Sequence, residues 1–345
     1  MYDLKNYKIK AEPVILGIES SCDETACAVI KGRKILSDII VSSASQQALY
    51  GGVVPEIASR AHTDAVDEAA AQALKEAGIS PDEVDAVAVT YGAGLLGALL
   101  VGLSFAKAFA HAKNIPLIAV NHIRGHMAAA YLVKNDLKPP FITLLASGGH
   151  TAVLHTKSVL EAEVLASTCD DAAGEAFDKV ARVLGLPYPG GPNVQKLAEG
   201  GRRTIEFPSA LIRHGDGKTF SYSGLKTAVI NYMHSAEQRG QKVKREDVAA
   251  SFECAAIGPL VKKTVEFALE KGVQTVTAGG GVIANDYLRK QLASACLSAG
   301  ITLVLPEKRF CTDNAAMIAS EGLNQYLAGN FASLSINARA AIPLK

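Results

Sequence analysis

Apolar positions fall into short runs broken by acidic or Gly-rich turns. Val14–Glu19 is apolar up to its last residue, SSCDET follows, and apolar residues resume over 26–30. A short apolar run, a polar turn and a second apolar run read as strand–turn–strand. The pattern returns at Phe141–Ala146, SGGHT and residues 152–155. Two such hairpins, each opening a long mixed stretch, suggest an internal duplication, although two unrelated hairpins would look the same. Residues 63–77 are Ala-rich with helical period, and Gly78 follows as a C-cap. Residues 84–89 read as a strand, YGAGLLGALL leads into a helix carrying Lys107 and His111, residues 116–120 form another strand, and NHIRGHMAAAYLV reads as the next helix. Residues 170–185 are helical in pattern, residues 186–216 are rich in Pro, Gly and Arg and read as an irregular loop, and residues 245–271 space Ala249, Phe252, Ala256 and Leu260 as one long helix. Residues 274–277 form a strand running into AGGGVIANDYLRKQL, residues 302–305 another, and 312–323 a helix with Thr312 at its N-cap. Strands alternating with helices predict an α/β fold with mostly parallel sheets.

Composition supports a folded chain large enough for two lobes. It has 345 residues, 49% hydrophobic and 20% charged, with 30 Gly and no Trp. The net charge of +1 gives little long-range attraction for nucleic acid, so an RNA partner would need a local patch or a second protein. Cys22, Cys27, Cys169, Cys254, Cys296 and Cys311 form no C-x-x-C pair and read as reduced thiols. Lys5, Lys8 and Lys10 precede the apolar run 14–18, but that run is short and soon meets Glu19, Asp23 and Glu24. The longest apolar stretch, 95–105, falls short of the roughly 20 residues that span a bilayer. A cytoplasmic protein without membrane contact is expected.

His122 and His126 lie four apart on an expected helix, so both rings project from one face and can grip one ion. The same spacing also arises by accident on a surface or in a core. The intervening Ile123, Arg124 and Gly125 exclude H-E-x-x-H, and without that glutamate a zinc-protease reading is disfavoured. Asp313, after a strand and at the start of a helix, is the candidate third ligand; a helix-terminus charge is the alternative. Two His and one carboxylate suit Fe(II) or Zn(II). Gly-rich turns at residues 91–97, 147–149, 190–191 and 279–281 follow apolar runs and let backbone N–H groups approach phosphate, yet none is a P-loop or a G-x-G-x-x-G fingerprint. Asp23 and Glu24 in the first turn are candidate bases or orienting groups, or ordinary turn residues. Asp171, Glu175 and Asp178 line one helical face, a solvated acidic stripe unless Asp178 binds a polar substrate. Arg202, Arg203, Arg213, Lys218, Lys242, Lys244 and Arg245 form a candidate phosphate strip or a generic solvated surface.

The segments GIESSCDET, GGVVPEIASRAH, VNHIRGHMAA, LLASGGHT, DDAAGEAFDKVARVLGLPYPGGP, FSYSGLKTAV, AGGGVIAND and CTDNAAMIA occur in this order over residues 17–319. As a set they closely resemble the tRNA N6-adenosine threonylcarbamoyltransferase family, in its bacterial branch. The resemblance implies a two-lobed actin/Hsp70-like (ASKHA) fold with a duplicated mixed-sheet domain and a nucleotide cleft between lobes 1–140 plus 330–345 and 141–329. It implies transfer of threonylcarbamoyl from threonylcarbamoyl-AMP to N6 of adenosine 37 in tRNAs reading ANN codons. It also implies His122, His126 and Asp313 as ligands of one divalent metal per subunit, Fe(II) favoured over Zn(II). Leu145, Ala146, Ser147, Gly148, Gly149, Asp178, Gly191 and Asn285 match adenylate-binding positions, and Asp23 and Glu24 match the acidic active-site turn. The implied partners are tRNA, a paralogous actin-like subunit (TsaB type) and a small P-loop ATPase (TsaE type). Leu145 stands where archaeal and eukaryotic relatives carry a Tyr near the metal, and Gln195 stands where many relatives carry an acid, which puts a ribose contact from that side chain in doubt. An actin-like ATP-dependent kinase or chaperone is the alternative of the same fold.

Overall fold

The computed structural model describes Leu4 and residues 7–211 and 219–343. The chain divides into two compact units, Met1–Leu137 with Asp313–Lys345, and Lys138–Thr312. In the first, β1 (Val14–Glu19), β2 (Glu24–Lys31), β3 (Lys34–Ser42), β4 (Ala86–Gly92) and β5 (Leu117–Asn121) form a sheet of order β3-β2-β1-β4-β5. The β1–β2 and β2–β3 pairs are antiparallel, and β4 and β5 run parallel to β1. Helices α1 (Ala44–Ala48), α2 (Pro55–Ala77), α3 (Leu96–Lys113) and α4 (His122–Ala128) belong to this unit.

The second unit holds β6 (Phe141–Ala146), β7 (Thr151–Thr156), β8 (Ala162–Thr168), β9 (Thr219–Phe220), β10 (Thr275–Gly279) and β11 (Thr302–Val304), in the order β11-β10-β6-β7-β8-β9. Apart from the two-residue β9, this repeats the first sheet strand for strand, with the same antiparallel β6–β7–β8 and parallel β10 and β11. The two hairpins therefore do open equivalent units. Its helices are α5 (Ala173–Val183), α6 (Gly190–Ala198), α7 (Ser223–Gln238), α8 (Arg245–Glu270) and α9 (Asp286–Ser298). The final helix, α10 (Ala315–Leu327), returns to the first unit.

Three expectations are corrected. Glu24 is the first residue of β2 rather than part of the turn. The expected irregular region 186–216 contains α6, whose start is set by Pro189 and the Asp178 carboxylate that accepts the Gly190 N–H at 2.7 Å. The chain re-enters the first unit at Asp313, not at 330. The reason is α10, which is buried almost all round on the sheet.

Helices cover both faces of the first sheet, so β1 is apolar along its length instead of alternating. Val14, Leu16 and Ile18 pack with Val66 of α2 and Leu103 of α3, while Ile15 packs with Ile318 and Leu323 of α10. Small residues set how closely α10 sits. A Cβ on Gly17 would lie 2.5 Å from the Ala315 carbonyl oxygen and 2.8 Å from Ala319 Cβ, and one on Gly322 would collide with Ala88 Cβ. Gly322→Val is expected to cost about 1–3 kcal/mol through overpacking. A lower urea midpoint at unchanged slope would record this, and a midpoint equal to wild type would contradict the close seat of α10.

Candidate metal centre and binding turns

Helix α4 begins where β5 ends. Asn121 caps it, its side chain accepting the Ile123 N–H at 2.9 Å, and this places His122 and His126 one turn apart with ring centroids 4.6 Å from each other. Asp313 lies just ahead of α10. The cap of α10 is Asn314, which accepts the Met317 N–H at 2.8 Å, so neither Thr312 nor Asp313 does that work. Asp313 Oδ1 is 3.5 Å from His122 Nε2 and 3.2 Å from His126 Nε2. One donor atom from each of the three residues lies within 4.8 Å of the others. His126 is fully buried, and neither ring nitrogen has a hydrogen bond of good geometry among the described residues. Burying an imidazole without partners is costly. A divalent ion held by two His and a carboxylate satisfies one of those nitrogens and leaves coordination positions open, so the residues present fit such a group.

The sequence reading missed Glu19. Its carboxylate is wholly buried at the end of β1. Oε2 accepts from Thr90 Oγ1 at 2.5 Å and lies 3.1 Å from His122 Nδ1, while Oε1 accepts the Ser21 N–H at 2.5 Å. Ser21 Oγ is also 3.1 Å from His122 Nδ1. A carboxylate on the far nitrogen of a ligating His fixes the ring's tautomer and orientation. The signal was available in principle, because Glu19 is the one charged residue closing an otherwise apolar strand. Burial pushes the His122 imidazole down, but Asp313 and Glu19 outweigh it and raise it to about 9. Burial likewise pushes Glu19 up, and His122 more than reverses this. His126 is held below the ordinary range, by burial first and then by His122. The metal-free cluster thus carries its proton on His122, the site where a coordinated cation takes the proton's place.

Asp23 and Glu24 lie in the same unit. Asp23 is buried, and its carbonyl accepts from both Ser43 N and Ser43 Oγ, at 2.9 and 2.8 Å. Glu24 Oε1 accepts from Ser42 Oγ at 3.1 Å. Burial, a hydrogen bond with Asp23 and the Asp23 and Asp313 charges raise Glu24 to about 9. At neutral pH Glu24 therefore keeps its proton, and the pair is not two free carboxylates.

In the second unit, Leu145 and Ala146 are wholly buried in β6. The Ser147 N–H is spent on the His150 carbonyl at 2.8 Å, and His150 N–H donates to Ser147 Oγ at 3.1 Å. Gly148 and Gly149 have open space where a side chain would stand, as has Gly191. The turn is backed by Gly174, whose Cβ would lie 2.7 Å from the Ser147 carbonyl oxygen, and by Gly280, at φ 99°, which meets the Ala146 carbonyl. Asn285 caps α9 by accepting the Leu288 N–H at 2.8 Å and donates to the buried Glu253 at 2.8 Å. Gln195 makes a reciprocal pair with Asp286, at 3.1 and 2.9 Å, and so ties α6 to α9.

Other candidates resolve differently. The turn at 91–97 is occupied by the chain's own C-terminal segment: Gly94 N–H donates to the Ala340 carbonyl and Arg339 N–H to that of Tyr91. Asp171 pairs with Lys179 and Lys226 instead of forming a solvated stripe. Of the basic strip, Arg245 donates to the Leu184 carbonyl, Lys244 pairs with Asp247, and Arg203 stacks 4.0 Å over the Tyr287 ring. Arg213 and Lys218 lie outside the described residues.

Two outcomes follow from this geometry. Glu19→Gln is expected to weaken metal binding about 10- to 100-fold, as removal of such orienting partners does; competition with a chromogenic chelator measures it, and unchanged affinity would separate Glu19 from the metal. For Glu24, the folded-state value lies above the unfolded one. Its contribution to stability is whole below the ordinary carboxylate range and is lost as pH rises toward about 9. Glu24→Gln stays neutral, so its urea midpoint should gain on wild type steadily from pH 5 to pH 9 in chelator-treated protein; a gap that narrows would refute the raised value.

The chain is similar to known proteins over most of its length. The family model described as tRNA N6-adenosine threonylcarbamoyltransferase matches residues 34–320. Proteins of that name from Clostridium botulinum (strain 657), Caldicellulosiruptor saccharolyticus and Moorella thermoacetica are each 50% identical to the chain, over 94%, 96% and 98% of it and 96%, 98% and 99% of their own lengths. Among solved structures, HypF of T. kodakarensis superposes with a TM-score of 0.65 at 15% identity, over 94% of this chain but only 49% of that one. The activator of 2-hydroxyisocaproyl-CoA dehydratase from Clostridium difficile superposes at 0.53 and 13%, over 92% and 96%. These distant likenesses bear on the fold alone, which is of the actin-like ASKHA type. The chain belongs to the tRNA N6-adenosine threonylcarbamoyltransferase family.

Proposed function

We propose that the chain transfers the threonylcarbamoyl group of threonylcarbamoyl-AMP to N6 of adenosine 37 in tRNAs that read ANN codons. Family membership over nearly the whole length supports the transferase activity. The observation that carries the catalytic reading is the His122–His126–Asp313 cluster, with a buried His126 whose ring nitrogens make no hydrogen bond of good geometry among the described residues. These residues would hold one divalent ion, Fe(II) before Zn(II), which when bound supplies Lewis-acid polarisation of the donor.

The remaining chemistry belongs to the chain's own groups. Glu19 keeps His122 in one tautomer. The N–H groups of Gly148 and Gly149 stand open to receive a phosphate or developing oxyanion. Asn285 Nδ2 carries a second N–H for the adenosine beyond the one given to Glu253, while its Oδ1 accepts at the helix cap. The N6 amine, presented out of the anticodon loop, forms a bond to the carbamoyl carbon; the carbon–oxygen bond to phosphate breaks, and AMP leaves with the electron pair. A carboxylate of the Asp23–Glu24 pair accepts the N6 proton.

A paralogous actin-like subunit without the metal site (TsaB type) and a small P-loop ATPase (TsaE type) complete the proposed assembly. A net charge of +1 supports tRNA binding shared with such partners. The cytoplasm is the proposed compartment; six free thiols support it, and no described helix is long and apolar enough to cross a membrane.

Reconstitution with tRNA and labelled threonylcarbamoyl-AMP tests the reading. Label should appear on tRNA, and His122→Ala should lose metal and transfer together, by about 100-fold or more if several kcal/mol of charge stabilisation disappear. Full transfer by a metal-free His122→Ala protein would end the catalytic-metal assignment. Phosphoryl transfer from ATP without labelled tRNA would favour the kinase alternative.

A further inference from the structure

The segment GGVVPEIASRAH has no place in the chemistry above, yet its last residue touches the acidic turn. His62 sits in α2 and is fully buried. Its Nδ1 lies 2.7 Å from Thr25 Oγ1, and its Nε2 lies 3.0 Å from the Cys22 carbonyl oxygen. A carbonyl only accepts, so Nε2 carries the proton and Nδ1 accepts from the Thr25 hydroxyl. One neutral ring therefore bonds the residue before Asp23 and the residue after Glu24. Burial holds His62 below its ordinary range, which agrees with a neutral ring.

We infer that His62 is a positioning residue, clamping the junction of the turn and β2 that carries Asp23 and Glu24 so that their carboxyls are held in one arrangement. Three features support this. Ser42 and Ser43 hold the acidic pair from the end of β3, and Ser21 is held by the Leu95 N–H and His122 Nδ1, whereas His62 alone among the described residues bonds through its side chain to both Cys22 and Thr25, the two neighbours of Asp23–Glu24. The helix that presents His62 is itself fastened to the sheet, with Ser37 Oγ donating to the Ala73 carbonyl at 2.7 Å and Cys27 Sγ lying 3.9 Å from that of Val66. Finally, among the described residues no hydrogen bond or ion pair joins His62 to His122, His126 or Asp313, so its effect on the turn is separable from metal binding. Neither Leu nor Val supplies the two bonds, whereas Gln carries both a donor and an acceptor.

The proposal rests on the reading of the Asp23–Glu24 pair as proton acceptor, and the test separates the two. Single-turnover transfer, metal content and hydrogen exchange over residues 21–25 are measured for wild type, His62→Leu, His62→Gln, Thr25→Val, the His62→Leu/Thr25→Val double variant and Glu24→Gln in the reconstituted system. His62→Leu should transfer about 10- to 100-fold more slowly, as small misplacements of reacting groups do. Its metal content and donor KM should stay near wild type, and exchange over 21–25 should quicken. His62→Gln should recover part of the rate, and Thr25→Val, which perturbs folding less, should show a smaller loss that is not additive with His62→Leu. A wild-type rate per folded molecule in His62→Leu and Thr25→Val, or equal damage in His62→Gln and His62→Leu, overturns the proposal. If Glu24→Gln transfers at the wild-type rate, the proton-acceptor role of the pair rests on Asp23 alone. The clamp then stands or falls on whether His62→Leu loses exchange protection over 21–25.

Discussion

The close seat of α10 on the first sheet is the constraint on which the metal centre depends. Asp313 is far in sequence from His122 and His126, and only the packing of the helix that follows it brings its carboxylate to them. Three glycines permit that packing. Gly17 and Gly322 let the helix backbone approach β1 and β4, and Gly125, between the two histidines, accommodates Ile318 where a Cβ would stand 2.6 Å from its Cδ1. Side chains at these points would lift the helix and carry Asp313 away from two rings that are fixed on α4. A close-packed interior transmits such a shift instead of absorbing it.

The second constraint is electrostatic. Two carboxylates, Glu19 and Asp313, flank two imidazoles in a region with little solvent. Glu19 is affordable there because its oxygens receive hydrogen bonds from Thr90 and Ser21 and face His122. His126, by contrast, has no comparable set of partners. The cluster's two carboxylates can offset the two positive charges of a divalent cation, of which a proton on His122 supplies only one. That imbalance, more than the His spacing, separates a metal centre from an accidental pair of histidines.

Duplication has produced two hairpins with opposite chemistry. The β1–β2 turn carries Asp23 and leads into Glu24 at the start of β2, an acidic pair built to hold or accept protons and fastened by Ser42, Ser43 and His62. The β6–β7 turn carries Gly148 and Gly149, offers N–H groups without side chains, and is braced from behind by Gly174 and Gly280. One sheet topology thus presents an acidic turn in one unit and a donor-rich turn in the other, and the difference lies in a handful of turn residues.

Much of this was legible in the sequence, and for physical reasons. Strand and helix positions follow from local periodicity, so Val14–Glu19, Phe141–Ala146 and the C-cap at Gly78 are where the pattern puts them. The His122–His126 pair is a one-turn relation that a helix determines by itself, and the ordered set of motifs was enough to assign the family. What the sequence could not decide are relations between distant segments. The partnership of Glu19 with His122, the clamp of His62 around the acidic turn, the diversion of Gln195 to Asp286, and the blocking of the turn at 91–97 by residues 339–340 all depend on which surfaces pack together. The cap of α10 was misplaced for a related reason, since Thr312, Asp313 and Asn314 are all plausible caps, and the seat of the helix on Gly17 and Gly322 leaves Asn314 at its end and turns Asp313 toward the histidines.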